Sequence, residues 1–261
     1  MTLNLSKIYI SCLMIFLTGL VQAQKNINIS DSLAAHAEKF NVKMGSQGFG
    51  KIWKMHFGDY AVISSKMGWA QNSTKSNLFQ TNIESKSTGR FSFIFSNKTS
   101  DSAWVNAANN VVIKALQEIE LFPHFSWGSN ELLSESKNFT AFINIDRDTS
   151  ETWVLYVNEQ KDRDTESSSE AFLTNGLRKI DLSPESSDKK KGNPFFQPAA
   201  GYEFFENGYS LCAVQYFGGN SLNNNIVWIR RGIDPKMELL LAAAMTAIIQ
   251  LKMNEMTTQQ Q

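Results

Sequence analysis

The stretch from Leu239 to Leu251 constrains this chain more than any other: 13 successive residues carry no charge. Asp234-Pro235 stands before it as a helix start. An aspartate caps the first amides, and proline takes the first helical position, where no N–H is needed. Within Met237–Met253 the only polar residues are Glu238, Thr246, Gln250 and Lys252. Glu238, Thr246 and Gln250 fall on one i, i+4 row with Ala242 and Asn254. Leu239, Leu240, Leu241, Met245, Ile248, Ile249 and Leu251 occupy the other faces. A surface helix has a polar half; this one has a polar stripe one row wide and must be surrounded. The run is too short for a membrane span, which needs about 20 apolar residues.

What precedes it is mostly of period two, the mark of strands with one buried face. Trp53, Met55 and Phe57 alternate with Ile52, Lys54 and His56, and Gly58-Asp59 turns into Tyr60–Ser64. Phe91, Phe93 and Phe95 alternate with Ser92, Ile94 and Ser96. Phe139, Ala141, Ile143 and Ile145 alternate with Thr140, Phe142 and Asn144. Asp146-Arg147-Asp148-Thr149-Ser150 then turns into Trp153–Val157. Tyr202–Glu206 and Ser210–Phe217 flank Asn207-Gly208, which suits a type I′ hairpin. Ile226–Arg230 is the last strong strand. Weaker strands are expected near Gly68, Leu78, Trp104 and Leu177. Two helices complete the reading. One spans Leu33–Phe40 behind Ser30-Asp31-Ser32. The other spans 108–120, where Trp104, Ala108, Val111, Val112, Ala115 and Ile119 recur at helical spacing; two short strands are the alternative there. Gln160–Glu170 and Ser183–Pro198 read as loops.

A helix of about 17 residues is about 25 Å long, and a seven-residue strand is about 23 Å. A barrel of about twelve strands leaves room for such a plug. The expected fold is therefore mainly β (α+β): an antiparallel β-barrel of about twelve strands around a buried hydrophobic C-terminal helix. Val227-Trp228-Ile229, Asp234-Pro235 and Leu239-Leu240-Leu241-Ala242-Ala243-Ala244 resemble the tubby-like superfamily, which includes tubby C-terminal domains, phospholipid scramblases and plant LURP-type proteins. The resemblance covers 50–253 in architecture and 200–253 in detail. It implies a closed barrel around the helix and a connection to lipids. The family's phosphoinositide-binding basic residues and the scramblase calcium segment have no match here, and its members are mostly intracellular.

Residues 1–23 read as a signal peptide: Lys7, an apolar core from Ile8 to Val21, and the small-x-small site Val21-Gln22-Ala23. The expected organisation is signal peptide 1–23, an N-terminal helical segment over 24–45, and a single barrel domain over 46–261 with loops near 160–175 and 183–200. The expected location is secreted or periplasmic, in a bacterium, after cleavage behind Ala23, with no transmembrane span remaining. The whole chain carries 25 basic and 25 acidic residues. Losing Lys7 leaves 24 against 25, a net charge of −1 that excludes a polybasic nucleic-acid binder. Cleavage also removes Cys12, so Cys212 is left alone in the apolar Leu211–Val214 and reads as a buried thiol.

Chemistry-bearing patterns are sparse. His36, His56 and His124 have no zinc spacing, and neither H-E-x-x-H nor G-x-S-x-G occurs. Gly45, Gly48 and Gly50 do not make a phosphate-binding fingerprint. Asp146–Ser150 looks superficially like a calcium loop, but Glu151 stands where glycine is required. Glu159, Asp162, Asp164 and Glu166 are a candidate cation group better read as a solvated loop, as is Lys189-Lys190-Lys191. No catalytic, cofactor-binding or metal residue is expected, and no cofactor. The leading functional expectation is an exported, non-enzymatic binding or envelope-associated barrel for a lipid or another apolar ligand. The alternatives are a carboxylate-based hydrolase acting on glycans and a purely structural interaction protein.

Overall fold

The computed structural model describes residues 26–68, 71–76, 82–98, 101–116, 119–122, 125–127, 131–146, 148, 150–164, 168–187, 199–218 and 225–258. A short helix α1 (Asp31–His36) leads into β1 (Ala37–Asn41), β2 (Lys43–Gln47), β3 (Trp53–Phe57), β4 (Tyr60–Met67), β5 (Gln71–Ser76), β6 (Asn82–Ser96) and β7 (Ser102–Leu116). The hairpin β8 (Ile119–Phe122) and β9 (Phe125–Trp127) follows. Next come β10 (Glu131–Ile145), β11 (Thr152–Asp162), β12 (Ser168–Thr174), β13 (Lys179–Ser186), β14 (Ala200–Glu206), β15 (Tyr209–Phe217), β16 (Ile226–Arg230) and helix α2 (Pro235–Thr258).

Thirteen strands follow one another in the order β1-β16-β15-β14-β13-β12-β11-β10-β7-β6-β4-β3-β2, while β5 pairs with β6 beside this path. The two ends of the path, β1 and β2, are successive in the chain with only Val42 between them. The result is a nearly closed antiparallel barrel. Its strand count exceeds the expected twelve by one because the first stave bends at Val42, where the amide donates to Asn225 O (2.9 Å) instead of to a ladder. β1 then follows β16 and β2 follows β3.

Alternation sorts the walls as period two requires. Phe91, Phe93, Phe95, Ala103, Val105, Ala107, Phe139, Ala141 and Ile143 all face inward and are buried. The inner aromatic rings touch: Phe57 lies 5.6 Å from Phe95, and Phe91 lies 6.0 Å from Phe139. β6, β7 and β10 each run 15 residues, about 50 Å, and their buried alternation is confined to the half nearest α2. The other halves extend past the core as a paired sheet.

Several sequence-based expectations are corrected. The helix at 108–120 is absent: Ala108 to Leu116 complete β7, which pairs over its whole length with β6 and almost as far with β10. Helical spacing coincided there with β-branched Val105, Val111, Val112 and Ile113, and two full ladders outweigh a weak periodicity. The N-terminal helix stops at His36, and Phe40 lies on β1, so the described part of the expected helical segment 24–45 is helical only over Asp31–His36 and barrel strands begin at Ala37. Gln160–Asp162 and Ser168–Glu170 are strand, with Gln160 opposite Ser168. Ser183–Ser186 likewise belong to β13, opposite Ala200–Glu203. Of the weaker strands, Trp104 lies in β7, Gly68 follows β4, and Leu177 sits in the turn before β13. Leu78 lies outside the described residues. The turns at Gly58 and Asn207-Gly208 form as expected, with φ of 52°, 51° and 78°.

Candidate functional site

Helix α2 packs against the nearly closed barrel and is buried from Leu239 to Met253. Asp234 Oδ2 accepts from the amides of Lys236 and Met237 (both 3.1 Å), which makes the expected cap. By length and composition Pro235–Met256 is apolar enough to cross a membrane, yet 89% of an 18-residue stretch within it is buried inside the protein. The polar row is buried with it, Thr246 and Gln250 at 0% exposure. Buried polar groups need partners, and the row supplies them. Thr246 Oγ1 donates to Ala242 O (2.8 Å), and Gln250 Nε2 donates to Asn254 Oδ1 (2.6 Å). Gln250 Oε1 accepts the Trp53 amide of β3 (3.3 Å), tying helix to wall. The void beside the last turns of α2 measures about 10 Å³, no more than one water's worth.

At that end sits a buried charge cluster. Lys252 is 8% exposed. Its Nζ donates to Glu159 Oε1 on β11 (2.8 Å) and to Glu255 Oε2 (3.2 Å), and lies 5.5 Å from the Tyr216 ring centroid. Tyr202 OH donates to the same Glu159 oxygen (3.0 Å). Burial pushes Lys252 down, but Glu255 and Glu159 outweigh it, so its ammonium keeps its proton above the ordinary lysine range. Burial likewise pushes Glu159 up, and the Lys252 charge, with hydrogen bonds from Lys252 and Tyr202, holds it below the carboxylate range. Burial first, then Glu159, raises Tyr202. These groups stabilise one another's charged or protonated forms and leave no poised acid or base.

A second buried polar group lies outside the barrel wall. Glu203 Oε1 accepts from Ser210 Oγ (2.5 Å) and Ser30 Oγ (2.6 Å), and Oε2 accepts from Ser30 N (2.9 Å). Arg230 donates through Nε to Ser210 O (2.6 Å) and through Nη2 to Ser32 Oγ (2.8 Å). Ile27 N donates to Gln215 Oε1 (3.0 Å). Together they pin residues 27–33 as a strap over β14–β16, where Ile27 and Leu33 form a separate apolar cluster with Ala213, Ile226 and Trp228.

A cleft of mixed polarity, about 330 Å³, opens beside the first turn of α2. Trp153, Met237 and Leu240 line it, with Asp146, Asp148, Glu151, Asp234, Arg178 and Lys236 among its polar residues. Each carboxylate already has structural work. Asp146 Oδ1 takes the Ser102 amide (2.9 Å), Asp148 Oδ1 takes Ser150 N and Oγ, Glu151 Oε1 takes Trp153 Nε1 and Asn175 Nδ2, and Asp234 caps α2. Arg178 is held bidentately by Glu206 (2.7 Å twice). The Ser150 hydroxyl and amide hold Asp148 below the usual carboxylate range.

The residues singled out from sequence do not converge. His36 and His56 are exposed on α1 and β3, and His124 lies outside the described residues. Cys212 is fully buried as expected, and burial, with the nearby Glu203, raises its thiol well above the ordinary range. Glu159 points to Lys252 while Asp162 and Asp164 are solvent-exposed, so the proposed cation group is dispersed, its Glu166 lying outside the described residues. Lys189–Lys191 lie outside them too. Among the described residues no group of three or more His, Cys, Asp or Glu could hold a metal ion. Sequence reasoning missed Lys252, Glu203 and Arg230. The i, i+3 spacing of Lys252 and Glu255 was the one visible signal; the other partners are 7 to 198 residues away. Comparisons with family models, curated proteins and solved structures return no match for this chain.

Proposed function

We propose that this chain is an exported, non-catalytic binding barrel of tubby-like architecture that takes a lipid or another apolar envelope component on its outer surface. The observation that carries this reading is the filled interior: α2 is buried from Leu239 to Met253, so an apolar ligand has no lumen to enter there. The nearly closed antiparallel barrel with an apolar C-terminal helix supports the architectural resemblance. Export rests on the leader, with cleavage after Ala23, and N-terminal sequencing of the protein recovered from outside the cytoplasm tests it. Native mass spectrometry of the purified protein, with pull-down from envelope extracts, tests binding. Recovery of lipid or an envelope component is expected, and recovery of neither overturns the reading.

A structural interaction protein is the second reading, favoured by large apolar side chains on the outside, Phe142 and Ile63 among them. A glycan hydrolase has less support. It needs one carboxyl group with a raised pKa as proton donor. Among the described residues the carboxylates whose ionisation is displaced, Glu84, Asp148, Glu159, Asp164 and Glu206, all move downward.

A further inference from the structure

Four strands of the outer wall place one residue each in a transverse row. Lys66 on β4 stands opposite Ser92 on β6, Ser92 opposite Asn106 on β7, and Asn106 opposite Phe142 on β10. The next outward position of β6 is Arg90, which stands opposite Ala108. These residues line a groove of about 350 Å³, within the size range of small-ligand sites. Its exposed surface is mostly apolar. Phe142 is 49% exposed, while its strand neighbours Ala141 and Ile143 are fully buried. Lys66 and Arg90 are both exposed, and neither has an ion-pair partner among the described residues. Among the described residues no acidic one lines the groove.

An apolar groove alone would suit any hydrophobic partner. Two unpaired cations at one end narrow the choice, because they reward a negative head and give nothing to a neutral one. We infer that the groove binds a single-chain anionic amphiphile, an alkyl carboxylate, with its head between Lys66 and Arg90 and its chain over Ala108 against Phe142. This rests on the outer-surface reading above and names its ligand class and site.

Isothermal titration of the leader-free chain with sodium decanoate below its micelle concentration tests the inference, with decanol as the neutral control. The variants are Lys66→Glu/Arg90→Glu and Phe142→Ser, all at exposed positions, each checked for an unchanged melting temperature. Wild type is expected to bind decanoate more tightly than decanol, and more weakly as salt rises. Reversing both charges is expected to weaken decanoate about tenfold and leave decanol unchanged. Phe142→Ser is expected to weaken both. Equal binding of decanoate to wild type and to the charge-reversed variant overturns the assignment, as does equal binding of decanoate and decanol. Binding to phosphatidylglycerol vesicles without binding to decanoate gives the patch to a membrane surface and also overturns it. In that last case the outer-surface reading survives, since it fails only if no lipid or envelope component is recovered at all.

Discussion

At the scale of single residues, buried polar groups decide more than the exposed histidines do. Lys252 neutralises Glu159 and Glu255 at the end of the barrel where α2 finishes, and neither carboxylate is well hydrated. Lys252→Met removes the charge while keeping most of the volume. It should cost about 3 kcal/mol, because two carboxylates are then left without their cation. The denaturant midpoint measures this, and Glu159→Gln in the same chain should recover part of the loss. The same cluster sets a pH dependence. Lys252, Tyr202 and Tyr216 all lose their protons above their ordinary values, as does Tyr60 on β4, which is raised by burial and by Glu238 near the start of α2. The folded state therefore holds those protons more tightly than the unfolded chain. The stability they contribute is complete below the ordinary values of 10.0 and 10.5 and is lost as pH rises through the folded ones. Glu159 is displaced the other way, so its contribution is complete above the ordinary 4.5 and is lost as pH falls through its folded value. Urea midpoints measured from pH 3 to 12 should be level in between and fall at both ends. Cys212 offers a separate readout. Its thiol is buried and hard to ionise, so a thiol reagent should label it only at the rate of unfolding. Labelling of the native protein within minutes would contradict this.

Among the elements, α2 was the most legible and β7 the least. The helix announced itself because a cap, a proline and an apolar run with a single polar row all agree. Its three central alanines, Ala242, Ala243 and Ala244, are fully buried, which lets the barrel wall approach closely. Ala243→Leu should cost about 1–3 kcal/mol, read from the thermal midpoint, because the surrounding strands are held by their ladders and yield little. β7 misled because its apolar residues satisfy both a period near four and a period of two. Only the pairing of β7 with β6 and β10 chooses between them, and neither partner is adjacent to it through a short hairpin at both ends. β1 was lost for a related reason: its five residues carry little pattern and become a strand by pairing with β16, 185 or more positions away.

For the molecule as a whole, closure and filling depend on each other. The barrel path ends at β1 and β2, joined through Val42, and the helix supplies the interior that the wall residues pack against. A chain ending at Ile233 should therefore lose cooperative unfolding rather than give a stable empty barrel. A broad, non-cooperative transition by circular dichroism, with dye binding to exposed apolar surface, is the expected result; a sharp transition at the original temperature would contradict it. The sequence by itself determined that a surrounded helix ends the chain and that two-period strands precede it, because apolar spacing is a local property of neighbouring residues. It also placed the type I′ hairpin and the buried thiol. Only the tertiary structure decided which strands close the ring, that the N-terminal strap lies over β14–β16, and that Lys252, Glu159 and Tyr202 meet. The outer row from Lys66 to Phe142 belongs there too, since it is assembled across four strands by register. Cross-strand register and buried ion pairs join residues far apart in the chain, and no local pattern records such a partner.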